Sequence, residues 1–99
     1  CNPIKMARHR YIISYDIANP RRLHQVIKIM EGTGTRLQFS VFLCDLSIRE
    51  LLLWQDTILD VIDASEDSVI RIDLGSMSNK DIVVIGVPRT LPREGPQVV

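Results

Sequence analysis

A short apolar run that turns at once into a helix start constrains this chain most. Residues 11–17 read Tyr-Ile-Ile-Ser-Tyr-Asp-Ile, the β-branched and aromatic composition that suits a pleated, half-buried strand. Asn19 and Pro20 follow: an N-cap oxygen, then a first helical residue whose missing N–H costs nothing. Leu23, Val26, Ile27 and Met30 then recur at helical spacing as one apolar stripe. Gly32 or Gly34 ends the helix, and Arg21, Arg22, His24, Gln25 and Lys28 lie off the stripe.

The alternation continues. Residues 35–46 read as one long bent strand, or as two broken near Gln38-Phe39-Ser40. Leu37, Phe39, Val41 and Leu43 point one way; Arg36, Gln38, Ser40 and Phe42 point the other. Ser47 and Glu50 form a Ser-x-x-Glu capping box, which opens a helix over residues 48–63. Its apolar residues cover more than one stripe, so part of it is expected to meet a partner. A turn at residues 64–67, a strand over 68–74 and a continuous apolar strand over 82–87 follow. The order β-α-β(β)-α-β-β predicts an α+β fold, a ferredoxin-like βαββαβ plait with an extra C-terminal strand. Helices would cover one sheet face and leave the other open, a liability that predicts a homodimer.

Ninety-nine residues make one domain, large enough for one core without staples. Residues 1–7 are expected to be a disordered start or a remnant foreign to the native protein, with Met6 a candidate initiator. The domain spans 8–88, and 89–99 forms a flexible tail. Cys1 and Cys44 make no disulfide framework; both are read as reduced, which predicts a cytoplasmic protein. No 18-residue apolar stretch occurs, so no membrane association is expected.

Within the first strand, Asp16 stands out. A carboxylate at the mouth of an apolar strand needs a partner: a local arginine, a metal ion, or an arginine of a symmetry mate. A net charge of zero hides a strong asymmetry. Residues 1–44 carry seven bases and two acids, whereas residues 45–73 carry two bases and eight acids. One basic and one acidic face are therefore expected, and a basic face attracts phosphate even on a neutral protein. Other chemistries lack their residues. There is no His/Cys metal spacing, no glycine-rich phosphate loop and no Gly-x-Ser-x-Gly. His9 and His24 read as surface histidines. An aromatic content of 5% does not suit a stacking platform for single strands.

For Asp16 two readings stand at this level. It caps the turn or pairs with Arg21 or Arg22. Alternatively, two copies across a dimer axis hold one hard cation, which takes oxygen ligands and keeps several waters. Such an ion would polarise a phosphodiester and activate water, with Arg21 and Arg22 adding phosphate contacts.

Three stretches in this order resemble the CRISPR-associated protein 2 family, over nearly all of residues 8–88. They are Tyr15-Asp16-Ile17 with its arginine-bearing helix start, Gly34-Thr35-Arg36-Leu37-Gln38-Phe39-Ser40-Val41-Phe42, and Glu66-Asp67-Ser68-Val69-Ile70-Arg71-Ile72. The middle stretch matches the family's Gly-x-Arg-x-Gln-x-Ser-Val-Phe pattern. The resemblance implies a ferredoxin-like homodimer and metal-dependent phosphodiesterase activity on RNA or DNA. It implies Mg²⁺ (or Mn²⁺) held by Asp16 from each protomer, and it associates Arg21 or Arg22, Ser40 and Phe42 with the site. Packing for Phe42 and a strand hydrogen bond for Ser40 are the competing roles. It also implies that residues 82–87 pair with the partner's sheet, and that the dimer bridges copies of the CRISPR-associated protein 1 integrase during spacer acquisition. The acidic 45–73 region or the tail would meet the integrase. The alternatives are a non-catalytic architectural DNA-binding dimer and a small-molecule-sensing ferredoxin-like regulatory domain.

Overall fold

In the computed structural model, which describes residues 7–76, 82–87 and 97–98, the strand-to-helix junction forms as the sequence predicts. Strand β1 (Arg8–Asp16) starts three residues earlier than expected and leads into α1 (Pro20–Glu31). The Asn19 side chain accepts hydrogen bonds from the Arg21 and Arg22 amides at 2.8 and 3.1 Å. Next come β2 (Thr35–Gln38), β3 (Val41–Ser47), α2 (Ile48–Val61) and β4 (Ser68–Ser76). The capping box is complete: the Ser47 amide donates to Glu50 at 2.9 Å and the Glu50 amide to the Ser47 hydroxyl at 3.2 Å.

The four strands form one antiparallel sheet in the order β2-β3-β1-β4, the ferredoxin-like arrangement. Tyr11, Ile13 and Tyr15 of β1 alternate into the core with Phe42, Cys44 and Leu46 of β3, beneath Val26 and Met30 of α1 and Leu51, Trp54 and Ile58 of α2. Trp54 donates its indole N–H to the Met30 sulfur at 3.3 Å, joining the two helices. Cys44 is a free, buried thiol whose pKa burial pushes up to about 12, so it is unreactive at neutral pH.

Residues 35–46 break into two strands at a turn over 39–40, the second of the two readings that the sequence allowed. Three expectations need correction. Phe42, grouped with the polar residues, is a core residue, while Phe39 is exposed. Both faces of β3 are apolar, so alternation alone could not choose its inner face. The second helix ends at Val61 rather than at Asp63. The expected strand over 82–87 shrinks to β5 (Val83–Val84), paired in parallel with β6 (Gln97–Val98) in a separate two-stranded sheet. Ile85 and Val87 are almost bare, with nothing among the described residues covering them. The expected start over residues 1–6, and the tail apart from β6, lie outside the described residues.

Gly34 occupies the closest backbone approach. A Cβ there would collide with the Leu43 carbonyl oxygen and the Cys44 sulfur, whereas one on Gly32 would meet nothing nearer than 3.6 Å. Gly34→Ala should destabilise the fold by about 1–3 kcal/mol through overpacking. The urea midpoint should fall with little change in slope, while Gly32→Ala should leave it nearly unmoved.

Candidate functional site at the end of the central strands

One end of the sheet collects most of the residues singled out in the sequence. Asp16, the last residue of β1, pairs with Ser68 at the start of β4. One residue earlier, the Tyr15 amide donates to the Ser40 carbonyl at 3.2 Å. Ser40 therefore sits beside the Asp16 end of β1, half-buried in the turn between β2 and β3. Its structural bond is made by the backbone, which leaves the hydroxyl uncommitted among the described residues. The first turn of α1, carrying Arg21 and Arg22, begins at the same end.

The two arginines play different parts. Arg22 reaches the turn before β4. Its Nε donates to Asp67 Oδ2 at 2.8 Å, and its Nη2 donates to Asp67 Oδ1 at 3.1 Å and to Glu66 at 3.0 Å. Arg21 is exposed and makes no ion pair among the described residues. The two adjacent arginines thus differ in setting: Arg22 is committed to Asp67 and Glu66, whereas Arg21 has no ion-pair partner among the described residues.

Asp16 is exposed, and no ion pair or side-chain hydrogen bond ties its carboxylate to another described residue. The local arginine partner allowed by the sequence is taken by Asp67 instead. Among the described residues no three His, Cys, Asp or Glu side chains come together to hold a metal.

Phe42 is not brought to this surface. Its ring is buried, 6.2 Å from that of Tyr15. The Arg36 guanidinium lies over it at 5.2 Å and near the Phe39 ring at 5.9 Å. The Tyr15 hydroxyl, whose pKa burial raises, donates to the Phe39 carbonyl at 3.3 Å. Arg36 and Tyr15 thus brace the turn that carries Ser40, and Phe42 supports Arg36 from below.

The expected basic face is partly neutralised within the fold, where Arg8, Arg10 and Arg22 pair with acids. Arg8 pairs with Glu50 at 2.7 Å and Arg10 with Asp45 at 3.0 Å, while Arg22 holds Asp67 and Glu66. Antiparallel pairing of β1 with β3 sets Arg10 opposite Asp45, so bases of the first half meet acids of the second. Asp67 and Arg36 received no site role from the sequence, although both stand in the stretches that carry the family resemblance.

An antiparallel plait with helices on one face and an exposed carboxylate at the end of an inner strand defines a small ferredoxin-like protein with its candidate site at the sheet end. The family model described as "CRISPR associated protein Cas2" matches residues 9–82. A Rhodospirillum rubrum protein named "CRISPR-associated endoribonuclease Cas2 1" is 38% identical over 78 residues, 79% of this chain and 76% of that protein. A Geobacter sulfurreducens protein named "CRISPR-associated endoribonuclease Cas2" is 38% identical over 82 residues, 83% of this chain and 86% of that protein. The crystal structure of a hypothetical protein from Thermus thermophilus superposes with a TM-score of 0.75 at 26% identity, covering 87% of this chain and 99% of that one. This chain belongs to the Cas2 family. Among the described residues no helix is long and apolar enough to cross a membrane.

The Arg22 hydrogen bonds are the largest cause that holds the Asp67 carboxyl well below the usual carboxylate value of 3.8. A group with a depressed pKa in the folded state stabilises the fold above its unfolded pKa, and that contribution is lost as pH falls toward the folded value. The urea midpoint should therefore drop between about pH 5 and pH 2. Asp67→Asn should shrink the drop, leaving the part owed to Glu50, Asp63 and Asp73, whose pKa values are also lowered.

Proposed function

We propose that this protein is a metal-dependent endonuclease that acts as a homodimer, with Asp16 of each protomer contributing to one shared cation site. The observation that carries this reading is the exposed Asp16 carboxylate, left without a partner at the sheet end while the arginine beside it is bound elsewhere. The donor set fits a hard cation: two carboxylates from two chains, with water completing the shell, is how Mg²⁺ is commonly held, and Mn²⁺ accepts the same oxygen ligands. Bound there, Mg²⁺ would supply Lewis-acid polarisation of a phosphodiester. The chain's own residues bind and orient: Arg21 meets a substrate phosphate as a charge-assisted donor, and Ser40 offers a hydroxyl at the same end.

Dimer formation is supported by apolar surface that one chain leaves open. Ile70 and Ile72 of β4 are exposed on the sheet face away from the helices, and Ile85 and Val87 are exposed beyond β5. The names of the curated relatives favour RNA as a substrate, and DNA offers Arg21 the same phosphate. A second, architectural role draws support from α2, where Ile48, Leu52 and Leu59 form an exposed apolar stripe beside Asp56 and Asp60. In that role the dimer holds DNA and bridges the CRISPR-associated protein 1 integrase during spacer acquisition, with the acidic helical region as the contact. Both roles belong in the cytoplasm.

Cleavage of single-stranded RNA and duplex DNA in Mg²⁺ and in EDTA tests the enzymatic reading. Asp16→Asn should fall to the EDTA background on either substrate; cleavage that survives the substitution removes Asp16 from the metal site. Arg21→Ala should weaken RNA binding and flatten its salt dependence by roughly 0.7 in log–log slope for each phosphate the variant no longer neutralises. An unchanged slope would mean that Arg21 meets no phosphate.

A further inference from the structure

We infer that Asp67 and Arg22 are positioning residues for Asp16: Asp67, held in place by Arg22, grips the backbone just after β1 and fixes the direction in which the strand delivers its terminal carboxylate. The inference rests on the role proposed for Asp16.

The Asp67 side chain is fully buried. Its Oδ1 accepts from the Ala18 amide at 2.9 Å and from Arg22 Nη2 at 3.1 Å. Its Oδ2 accepts from Arg22 Nε and from the Asp63 amide, both at 2.8 Å. A carboxylate offers about four lone-pair sites, and all are used, so Asp67 has no capacity left to be a metal ligand. Its donors come from three segments: the turn after β1, the first turn of α1, and the turn after α2.

Ala18 lies two residues beyond Asp16, and Ile17 between them is buried in the core. Asp16 is thus held on one side by its pairing with Ser68 and on the other by a core residue and the Ala18–Asp67 bond. The Ala18 bond is not needed to start α1, because Asn19 already caps the helix through the Arg21 and Arg22 amides. What it restrains is the strand exit. Binding constellations tolerate errors of only about 0.5 Å, and in a site shared by two copies any error in Asp16 occurs twice. Arg22 acts here through Asp67, whereas Arg21, one residue away, is left to meet the substrate.

The test uses the ¹⁵N-labelled full chain as wild type, Arg22→Ala, Arg22→Lys, Asp67→Asn, Arg21→Ala and Asp16→Asn. Three quantities are measured: hydrogen exchange at the Ala18 amide, Mn²⁺ affinity by electron paramagnetic resonance, and kcat and KM for RNA cleavage. Arg22→Ala and Asp67→Asn should speed Ala18 exchange and weaken Mn²⁺ binding about tenfold or more, as removal of a partner behind a metal ligand does. Their kcat should fall in proportion while KM stays within about twofold, since binding common to ground and transition states is untouched. Arg22→Lys keeps the charge and should recover part of each effect, and it remains comparable should Arg22→Ala fail to fold. Arg21→Ala should raise KM and leave Ala18 exchange unchanged. A rise in KM for Arg22→Ala, with Ala18 exchange and Mn²⁺ affinity at wild-type values, would make Arg22 a phosphate contact and overturn the inference. Faster Ala18 exchange with undiminished Mn²⁺ affinity would overturn it too, reducing the pair to a purely structural clasp. Mn²⁺ binding that persists in Asp16→Asn defeats the metal role of Asp16 itself, a failure distinct from either of these.

Discussion

A desolvated carboxylate is costly unless every lone pair finds a donor, and Asp67 meets that demand with four hydrogen bonds drawn from three segments of the chain. Much of the candidate site depends on this one side chain. It ties the turn after α2 to the start of α1, binds Arg22, and restrains the residue two positions after Asp16. The Asp16 carboxylate and Arg21 have no ion-pair partner among the described residues.

The same logic governs charge across the molecule. Two halves of opposite sign invite a picture of two opposed faces. Folding instead satisfies much of that asymmetry internally, through Arg8 with Glu50, Arg10 with Asp45 and Arg22 with Asp67 and Glu66. Arg21 and Lys28 remain on the outer side of α1. The exposed isoleucines of β4 and the bare residues beyond β5 supply the apolar surface on which an assembled form would draw.

Much of this was legible in the sequence wherever one local signal determined one outcome. Asn19-Pro20 and Ser47 with Glu50 placed both helix starts, and residues 11–17 placed the strand that became the inner β1. Legibility ended where a residue's partner is distant in sequence or its neighbours are apolar on both sides. Alternation could not aim β3, because Val41 and Leu43 are as apolar as Phe42 and Cys44. The run at 82–87 has strand composition, yet among the described residues only Val83 and Val84 find a strand to pair with. At the site, Asp16 was found from its own setting, an acid ending an apolar run. Asp67 was not, because its meaning lies in Arg22, 45 residues away, and an acidic turn otherwise reads as solvated surface.

In the proposed site the Asp16 carboxylate is completed by its copy in a second chain. The stoichiometry of Mn²⁺ binding, read by native mass spectrometry across a metal titration, tests this. A shared site gives one specifically bound ion per two chains, carried by the dimer and lost in Asp16→Asn. One ion on each chain, or equal loading of wild type and Asp16→Asn, would contradict it.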